Sequence, residues 1–218
     1  MPSLPTITAY PLPTAHELPS NVADWTVDPG RAALLIHDMQ KYFLRPFPSE
    51  IAQPLVRNIA TLRQSCAAQA IPVTYTAQPG DMSPAERGLL RDFWGPGMHV
   101  GEHERAIIEP LSPEREDRVF TKWRYSAFFH SDLLDFLRER RRDQLILCGI
   151  YAHIGVLATA IESYSNDIET FLVGDAVADF TRDDHDMTLR YAANRCASVT
   201  VTASVADQLN SATLEDAR

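Results

Sequence analysis

The chain has 218 residues, of which 45% are hydrophobic and 22% are charged, and its formal net charge is −9. This composition is typical of a globular protein with a full core, and no stretch approaches the roughly 18 apolar residues of a membrane-spanning helix. The negative charge argues against nucleic acids and anionic membranes as partners, although a locally basic cleft can still bind a small anion.

The first 30 residues hold six prolines and are predicted to form an extended arm that lies over the domain or reaches a partner subunit. We do not expect a signal peptide here, because no basic residue precedes Arg31. The three cysteines, Cys66, Cys148 and Cys196, are odd in number and widely spaced. They favour reduced core thiols in a cytoplasmic protein over a disulfide framework or a zinc site.

Strand-like and helix-like segments alternate after the arm. Short apolar runs predict strands at residues 32–37, 72–75, 119–122, 144–148, 170–173 and 198–202. Helical spacing predicts helices at residues 55–66, 84–91, 133–142, 154–164 and 183–195. This alternation predicts an α/β fold, a doubly wound six-stranded mostly parallel sheet with helices on both faces. We expect one domain over residues 31–209 and a polar, frayed tail over residues 210–218.

Four polar side chains come just after the first four predicted strands, namely Asp38, Gln78, Lys122 and Tyr151. Ligands bind outside the carboxyl ends of the strands in such a sheet, so an acid, an amide, a cation and a phenol are predicted to share one site. Lys122 is also one of only two lysines in a chain with 20 basic residues. Because the chain uses arginine at nearly every other basic position, the lysine here indicates that a compact ammonium is required rather than a planar guanidinium.

Each of these residues also has a plainer interpretation. Asp38 could cap a following turn, and Lys122 could be a solvated strand end. Tyr151 and Trp94 could be core aromatics, which is the commoner fate of such side chains. Their shared location at one edge of the sheet favours the functional interpretation.

His99 and His103 have the spacing of two metal ligands on one helical face. Gly97 and Gly101 make this segment a poor helix, so we expect no metal there. The sequence also has no glycine-rich phosphate loop, which argues against a nucleotide cofactor.

Six long segments resemble the isochorismatase family. They are RAALLIHDMQ, PVTYTAQP, RDFWGPGM, TKWRYSAFFHSDL, CGIYAHIGV and VADFTRDDH, at residues 31–40, 72–79, 91–98, 121–133, 148–156 and 177–185. The resemblance covers nearly the whole chain, including the arm. It implies an ether hydrolase that uses no metal or cofactor, acts on a small anionic chorismate-derived substrate and forms a homodimer.

Within the family, three further segments are most similar to the phenazine-pathway members. They are YFLRPFP, SAFFHSDLL and SYSNDIETFLVGDAVADF, at residues 42–48, 126–134 and 163–180. Those members hydrolyse 2-amino-2-deoxyisochorismate to trans-2,3-dihydro-3-hydroxyanthranilate and pyruvate. The alternative is a siderophore isochorismatase, whose substrate carries a hydroxyl in place of the amine. A non-catalytic relative is a third hypothesis, disfavoured by the intact Asp38 and Lys122.

The same superfamily includes cysteine amidases such as nicotinamidases, which use an Asp–Lys–Cys triad. Asp38 and Lys122 match its first two members, but Gly155 stands where those enzymes have cysteine. Cys148 lies within an apolar strand and is expected to be an inert core thiol. The covalent route is therefore closed, and the resemblance implies that Asp38, with Lys122 beside it, acts as a general acid on an enol ether.

The resemblance also implies how the substrate is held. Arg87 and Lys122 pair with its carboxylates, and Gln78 donates or accepts a hydrogen bond. Trp94 and Phe43 form walls of the pocket. Backbone groups at a helix N-terminus complete the site, from Tyr151, Ala152, His153, Ile154 and Gly155, and a non-proline cis peptide is expected near them. One question stays open, because the lysine should lower the pKa of the acid while burial should raise it.

Overall fold

The predicted strands form one six-stranded sheet in the computed structural model, which describes residues 4–99 and 101–216. The strands are β1 (Ala32–His37), β2 (Val73–Ala77), β3 (Arg118–Thr121), β4 (Gln144–Ile150), β5 (Glu169–Ala178) and β6 (Ser198–Thr200). Their order is β3-β2-β1-β4-β5-β6, and each neighbouring pair is parallel. The predicted α/β class is confirmed, with a sheet that is parallel throughout.

Helices connect the strands and cover both faces of the sheet. In the described part of the chain they are α1 (Lys41–Leu44), α2 (Ser49–Ala68), α3 (Pro84–Arg87), α4 (Leu90–Trp94), α5 (Glu102–Arg105), α6 (Leu133–Glu139), α7 (Leu157–Ser165), α8 (Arg182–Arg195) and α9 (Thr202–Asp216). Short 3-10 turns lie at Ala15–Glu17 and Glu109–Leu111, and a π-helical turn at Ala152–Val156 precedes α7. None of the described helices is both long and apolar enough to cross a membrane.

The continuous apolar run of β1 follows from its burial on both faces. Leu34 and Ile36 pack in a core cluster with α2 and α9, whereas Ala33 and Leu35 pack in a second cluster with α6, α7 and α8. Successive side chains of a strand point to opposite faces, so a strand between two helical layers must be apolar at every position. The sequence pattern of a central parallel strand is thereby explained.

Three predictions for the chain's local structure were wrong. The helix expected at residues 84–91 is divided into α3 and α4, because Gly88 between them adopts a φ of +49°, outside helical geometry. The last predicted strand ends at Thr200, and α9 begins at Thr202. The expected frayed tail is helical as far as residue 216, since Val205 and Leu209 are fully buried in the core that α2 also lines. Residues 217 and 218 lie outside the described part.

From residue 4 onward, the proline-rich arm lies over its own domain. Ile7, Tyr10 and Val27 are buried in the core cluster on the α2 side. The Tyr10 hydroxyl accepts a hydrogen bond of 2.7 Å from the backbone N–H of Asp179, which follows β5. Of the two roles predicted for the arm, these contacts favour the first. Residues 1–3 lie outside the described part of the chain.

Candidate active site

The strand order reverses between β1 and β4, which are neighbours although β2 and β3 come between them in sequence. Ligands bind at such a point in doubly wound sheets, because the connections diverge and leave a crevice beyond the strand ends. A cleft of about 720 Å³, counting its part open to solvent, lies there. The four side chains predicted from the strand ends all line it, namely Asp38, Gln78, Lys122 and Tyr151.

The centre of the cleft is a buried ion pair. The Lys122 ammonium donates to Oδ2 of Asp38 at 2.9 Å, and only 3% of Lys122 and 5% of Asp38 are exposed. The Thr76 hydroxyl donates to the other carboxylate oxygen, Oδ1, at 2.6 Å. Both oxygens of the carboxylate therefore have a donor, which is what a buried anion requires.

The backbone of Asp38 turns sharply after β1. Its φ of +52° is left-handed, a conformation that costs a non-glycine residue about 1–2 kcal/mol. Two hydrogen bonds hold the turn, because its N–H donates to Thr76 Oγ1 at 3.0 Å and its carbonyl accepts from the N–H of Gln40 at 2.8 Å. Backbone strain of this kind is concentrated at functional sites.

The sequence left open whether the pKa of Asp38 is lowered by Lys122 or raised by burial. Burial acts to raise this pKa, but the Lys122 ammonium and the hydrogen bond from Thr76 outweigh it and hold the pKa below its ordinary value. Asp38 is therefore an ionised carboxylate at neutral pH in this structure.

Arg87 lies opposite this pair with a guanidinium that no carboxylate neutralises among the described residues. Its Nε donates to the carbonyl of Gly95 at 3.0 Å and an Nη donates to Oε1 of Gln78 at 3.3 Å. The residue is only 6% exposed, and burial lowers its pKa. A buried cation without a counter-charge is unfavourable, so the arrangement suits an anionic ligand.

Aromatic side chains line the cleft, among them Phe43 and Trp94, which were expected to form its walls, and Tyr151. The Tyr151 ring stacks on Phe47, with centroids 5.6 Å apart, and its hydroxyl donates to the carbonyl of Phe43 at 2.6 Å. Phe180 packs on both Tyr151 and Trp94. These aromatic contacts give the cleft an apolar wall beside its charged groups.

The loop after Lys122 holds α3 and α4 over the cleft. Arg124 donates to the carbonyl of Glu86 at 2.7 Å, and Trp94 Nε1 donates to the Tyr125 hydroxyl at 2.8 Å. Arg124 and Tyr125 themselves line the cleft. These contacts place the helices that carry Arg87 and Trp94.

The turn after β4 meets the prediction only in part. The peptide bond between Ile150 and Tyr151 is cis, as expected, and Ile154 and Gly155 line the cleft. Ala152 and His153 do not. Ala152 packs in the core on the α7 side, and both the backbone N–H and Nδ1 of His153 bond the buried Asp179 carboxylate, at 2.6 and 2.7 Å. The backbone N–H of His153 is thus bonded within the protein.

Gly155 has no room for a side chain. A Cβ at this position would lie 2.3 Å from Cε1 of His37, which is fully buried beneath the turn. The imidazole cannot easily move aside, since its Nδ1 bonds the carbonyl of Ile150 at 2.9 Å. His37 therefore fills the volume that the side chain of a nucleophilic cysteine would need.

Sequence reasoning missed several residues of the site. They are His37, Tyr42, Thr76, Arg124, Tyr125 and Phe180. Two of them, His37 and Thr76, end or nearly end strands and resemble core positions. Tyr42 lies on α1 and the other three lie in loops, and the approach of all four to the cleft depends on tertiary packing. A rule that searched two or three residues past each strand would have found Arg124 and Tyr125.

The two histidines with the spacing of metal ligands have separate partners. His99 Nδ1 lies 3.2 Å from a carboxylate oxygen of Asp81, and the His103 ring contacts the Lys41 ammonium at 3.2 Å. In the described part of the chain, His153, Asp179 and Asp184 are close enough to share a cation. Asp179, however, already accepts three hydrogen bonds, from His153 and the N–H of Phe180, which accounts for its burial.

The cysteines are free and buried, as predicted. Cys148 is fully buried, its thiol donates to the carbonyl of Leu35, and burial raises its pKa well above the ordinary value. Such a thiol forms no thiolate at neutral pH. It therefore does not replace the missing nucleophile.

Substitution of Gly155→Cys is expected to destabilise the fold by about 1–3 kcal/mol, because the new side chain overlaps His37. Urea unfolding measures the loss, with Gly101→Cys as the matched control, since a Cβ there meets nothing within 4 Å. In combination with His37→Ala, the cost should be smaller than the sum of the two single changes. Equal stability of the Gly155→Cys and Gly101→Cys proteins would contradict the packing argument.

Comparison with known proteins agrees with this geometry. The model of the isochorismatase domain matches residues 32–204. The chain is 56% identical over 205 residues to phenazine biosynthesis protein PhzD1 of Pseudomonas aeruginosa, covering 94% of this chain and 99% of that protein. It is 52% identical over 213 residues to the isochorismatase of Bacillus subtilis, covering 96% of this chain and 68% of that protein. A cysteine hydrolase from Pseudomonas syringae has a similar structure, with a TM-score of 0.80, 25% identity and coverage of 89% and 98%. The chain belongs to the isochorismatase family and, as the resemblance predicted, is a hydrolase.

Proposed function

We propose that the protein hydrolyses the enol ether of 2-amino-2-deoxyisochorismate to trans-2,3-dihydro-3-hydroxyanthranilate and pyruvate, in the biosynthesis of a phenazine or related metabolite. The observation that carries the proposal is the buried Asp38 carboxyl in a cleft whose nucleophile position is Gly155, closed by His37. Similarity to a phenazine biosynthesis protein over 94% of the chain supports the amino substrate.

The first step is proton transfer from Asp38 to the vinyl CH₂ carbon. The π electron pair of the double bond forms the new C–H bond, and the electron pair of the broken O–H bond stays on the carboxylate. Positive charge develops on the adjacent carbon and the ether oxygen. The carboxylate of Asp38 lies next to this charge and stabilises it.

The second step is capture of the oxocarbenium ion by water. A water oxygen bonds the cationic carbon, and the proton released by the water restores the acid form of Asp38. In the resulting hemiketal the bond between the former vinyl carbon and the ether oxygen then breaks. The hemiketal hydroxyl loses its proton as the ketone of pyruvate forms, and the ether oxygen stays on the ring and takes up a proton to give the ring alcohol. No covalent bond to the protein forms, so the mechanism needs no thiol in the cleft.

Substrate carboxylates complete the charge balance of the cleft. Lys122 and Arg87 are proposed to bind one carboxylate each, with Gln78 as a hydrogen-bonding partner. When a carboxylate pairs with the Lys122 ammonium, the attraction that lowers the pKa of Asp38 is weakened, while burial still raises that pKa. Substrate binding thus prepares the acid form that the first step requires.

Hydrolysis of isochorismate is the second candidate, supported by 52% identity to an isochorismatase over 96% of the chain. Pyruvate release from the amino and hydroxy substrates separates the two, by comparison of kcat/KM. We expect a higher value for the amino compound, and a clear preference for isochorismate would assign the chain to the second function.

We also propose that the protein is cytoplasmic and works as a homodimer. The three free, buried cysteines support a reducing compartment. We infer the dimer from the resemblance to the family, in which dimers are usual. Sedimentation velocity should give a particle of twice the 24.4 kDa chain mass. A monomer at all concentrations tested would refute it.

Substitution of Asp38→Asn should reduce kcat by at least about 100-fold, because the amide keeps the shape of the acid but has no acidic proton to transfer. Pyruvate release is followed with a coupled dehydrogenase, and substrate affinity by calorimetry should change little. Asp92→Asn, an exposed change on α4, is the control. Near-normal turnover in the Asp38→Asn protein would exclude the mechanism.

Substitution of Lys122→Met should move the pH dependence of kcat/KM to higher pH. Asp38 reacts in its protonated form, so kcat/KM falls as the pH rises above the pKa of Asp38 in the free enzyme. Removal of the neighbouring ammonium raises that pKa, and the fall then begins at a higher pH. Because the Asp38 pKa is already below its ordinary value, the wild-type kcat/KM should fall throughout a profile from about pH 5 to pH 9, whereas the Lys122→Met profile should begin to fall only at higher pH. Profiles of the same shape would show that Lys122 does not set the pKa.

A further inference from the structure

Thr76 makes two hydrogen bonds to Asp38 that fix the direction of its own hydroxyl. The Asp38 N–H donates to Thr76 Oγ1 at 3.0 Å, and Oγ1 lies 2.6 Å from Oδ1 of the same residue. A threonine hydroxyl has one hydrogen to donate. Since the N–H approaches a lone pair, that hydrogen is directed at Oδ1.

The second carboxylate oxygen has a different environment. Oδ2 accepts from the Lys122 ammonium at 2.9 Å, and Lys122 lines the cleft. The substrate carboxylates can draw this ammonium away from Oδ2, whereas the Thr76 hydroxyl is fully buried and donates to no other acceptor among the described residues. The two oxygens of Asp38 are thus not equivalent.

Protonation of Oδ1 would disrupt this arrangement. Two hydrogens would then face each other across the 2.6 Å contact, unless the Thr76 hydroxyl rotated away and lost its acceptor. A buried hydroxyl without an acceptor is unfavourable, so the proton is disfavoured on Oδ1.

We propose that Thr76 is a positioning residue that keeps Oδ1 of Asp38 unprotonated and thereby assigns the transferable proton to Oδ2. In the transfer step the Oδ2–H bond breaks, its electron pair stays on Oδ2, and the vinyl π pair forms the new C–H bond. Thr76 also restrains rotation of the carboxyl group, because it holds both Oδ1 and the backbone N–H. The inference rests on the proposed enol-ether hydrolysis and deepens it.

The chain offers a matched control on the same strand. Thr74 is also fully buried in β2, two residues earlier, and its hydroxyl donates to the carbonyl of Leu34 at 2.7 Å. Substitution of Thr74→Val removes a buried hydroxyl hydrogen bond of the same kind without touching Asp38. Thr76→Val removes the hydroxyl under test, and Thr76→Ser restores it.

The kinetic test compares pyruvate release by these variants. Thr76→Val is expected to lower the maximal kcat by about tenfold or more, with KM within about twofold, because orientation of the acid matters in the transition state. Thr76→Ser should stay within about threefold of the wild type, and Thr74→Val should leave kcat unchanged despite a similar loss of stability. Equal kcat in the Thr76→Val and wild-type proteins, or equal losses in both valine variants, would overturn the proposal.

A second measurement separates this proposal from the function on which it rests. Titration of the Asp38 carboxyl by ¹³C NMR in the substrate-free protein should show a higher pKa in Thr76→Val, because a hydrogen bond to the charged form is lost. The other titratable groups that face Asp38, namely His37, Lys122 and Tyr151, are present in all variants. If the wild type releases no pyruvate, the proposed function fails, and the titration alone decides on Thr76. An unchanged pKa in Thr76→Val would reject the assigned contact.

Discussion

The buried pair of Asp38 and Lys122 is the interaction on which the rest of the site depends. Desolvation of two charges is unfavourable, and it is offset only when distance and further hydrogen bonds are right. The parallel sheet supplies both the distance and the further hydrogen bond. Asp38 follows β1, Thr76 is the next-to-last residue of β2, and Lys122 follows β3. A shift of one residue in the pairing of these three strands would turn the side chains to opposite faces and leave each charge without its partner.

Charge balance then explains how an acidic chain binds an anion. The protein carries a net charge of −9, yet the described lining of the cleft includes Lys122, Arg87 and Arg124 against the single carboxylate of Asp38. The excess of positive charge is local and largely buried, where screening by solvent is weak. In the proposed mechanism an anionic substrate completes this balance. Its binding also weakens the effect by which Lys122 lowers the pKa of Asp38.

The sequence predicted what depends on pattern and could not predict what depends on packing. Strand ends are visible as limits of apolar runs, so Asp38 and Lys122 could be predicted from the sequence alone. Thr76 lies inside an apolar strand and resembles a core residue, because its role requires the neighbouring strand. His153 was expected to face the substrate, but Asp179, 26 residues later, engages its N–H. The helix α9 was missed because few apolar side chains mark its buried face.

Gly155 changes the chemistry only together with His37. In the amidase arrangement a thiol would stand at 155, and the Asp–Lys pair would activate it. Here the imidazole of His37 occupies that volume and is anchored to the Ile150 carbonyl, so a reversion to cysteine meets a filled space. In the proposed mechanism the Asp–Lys pair has no nucleophile to activate, and Asp38 itself is the reactive group. In the proposed mechanism, the distinction between amide and enol-ether chemistry therefore depends on one packing contact between two residues that line the cleft, His37 and Gly155.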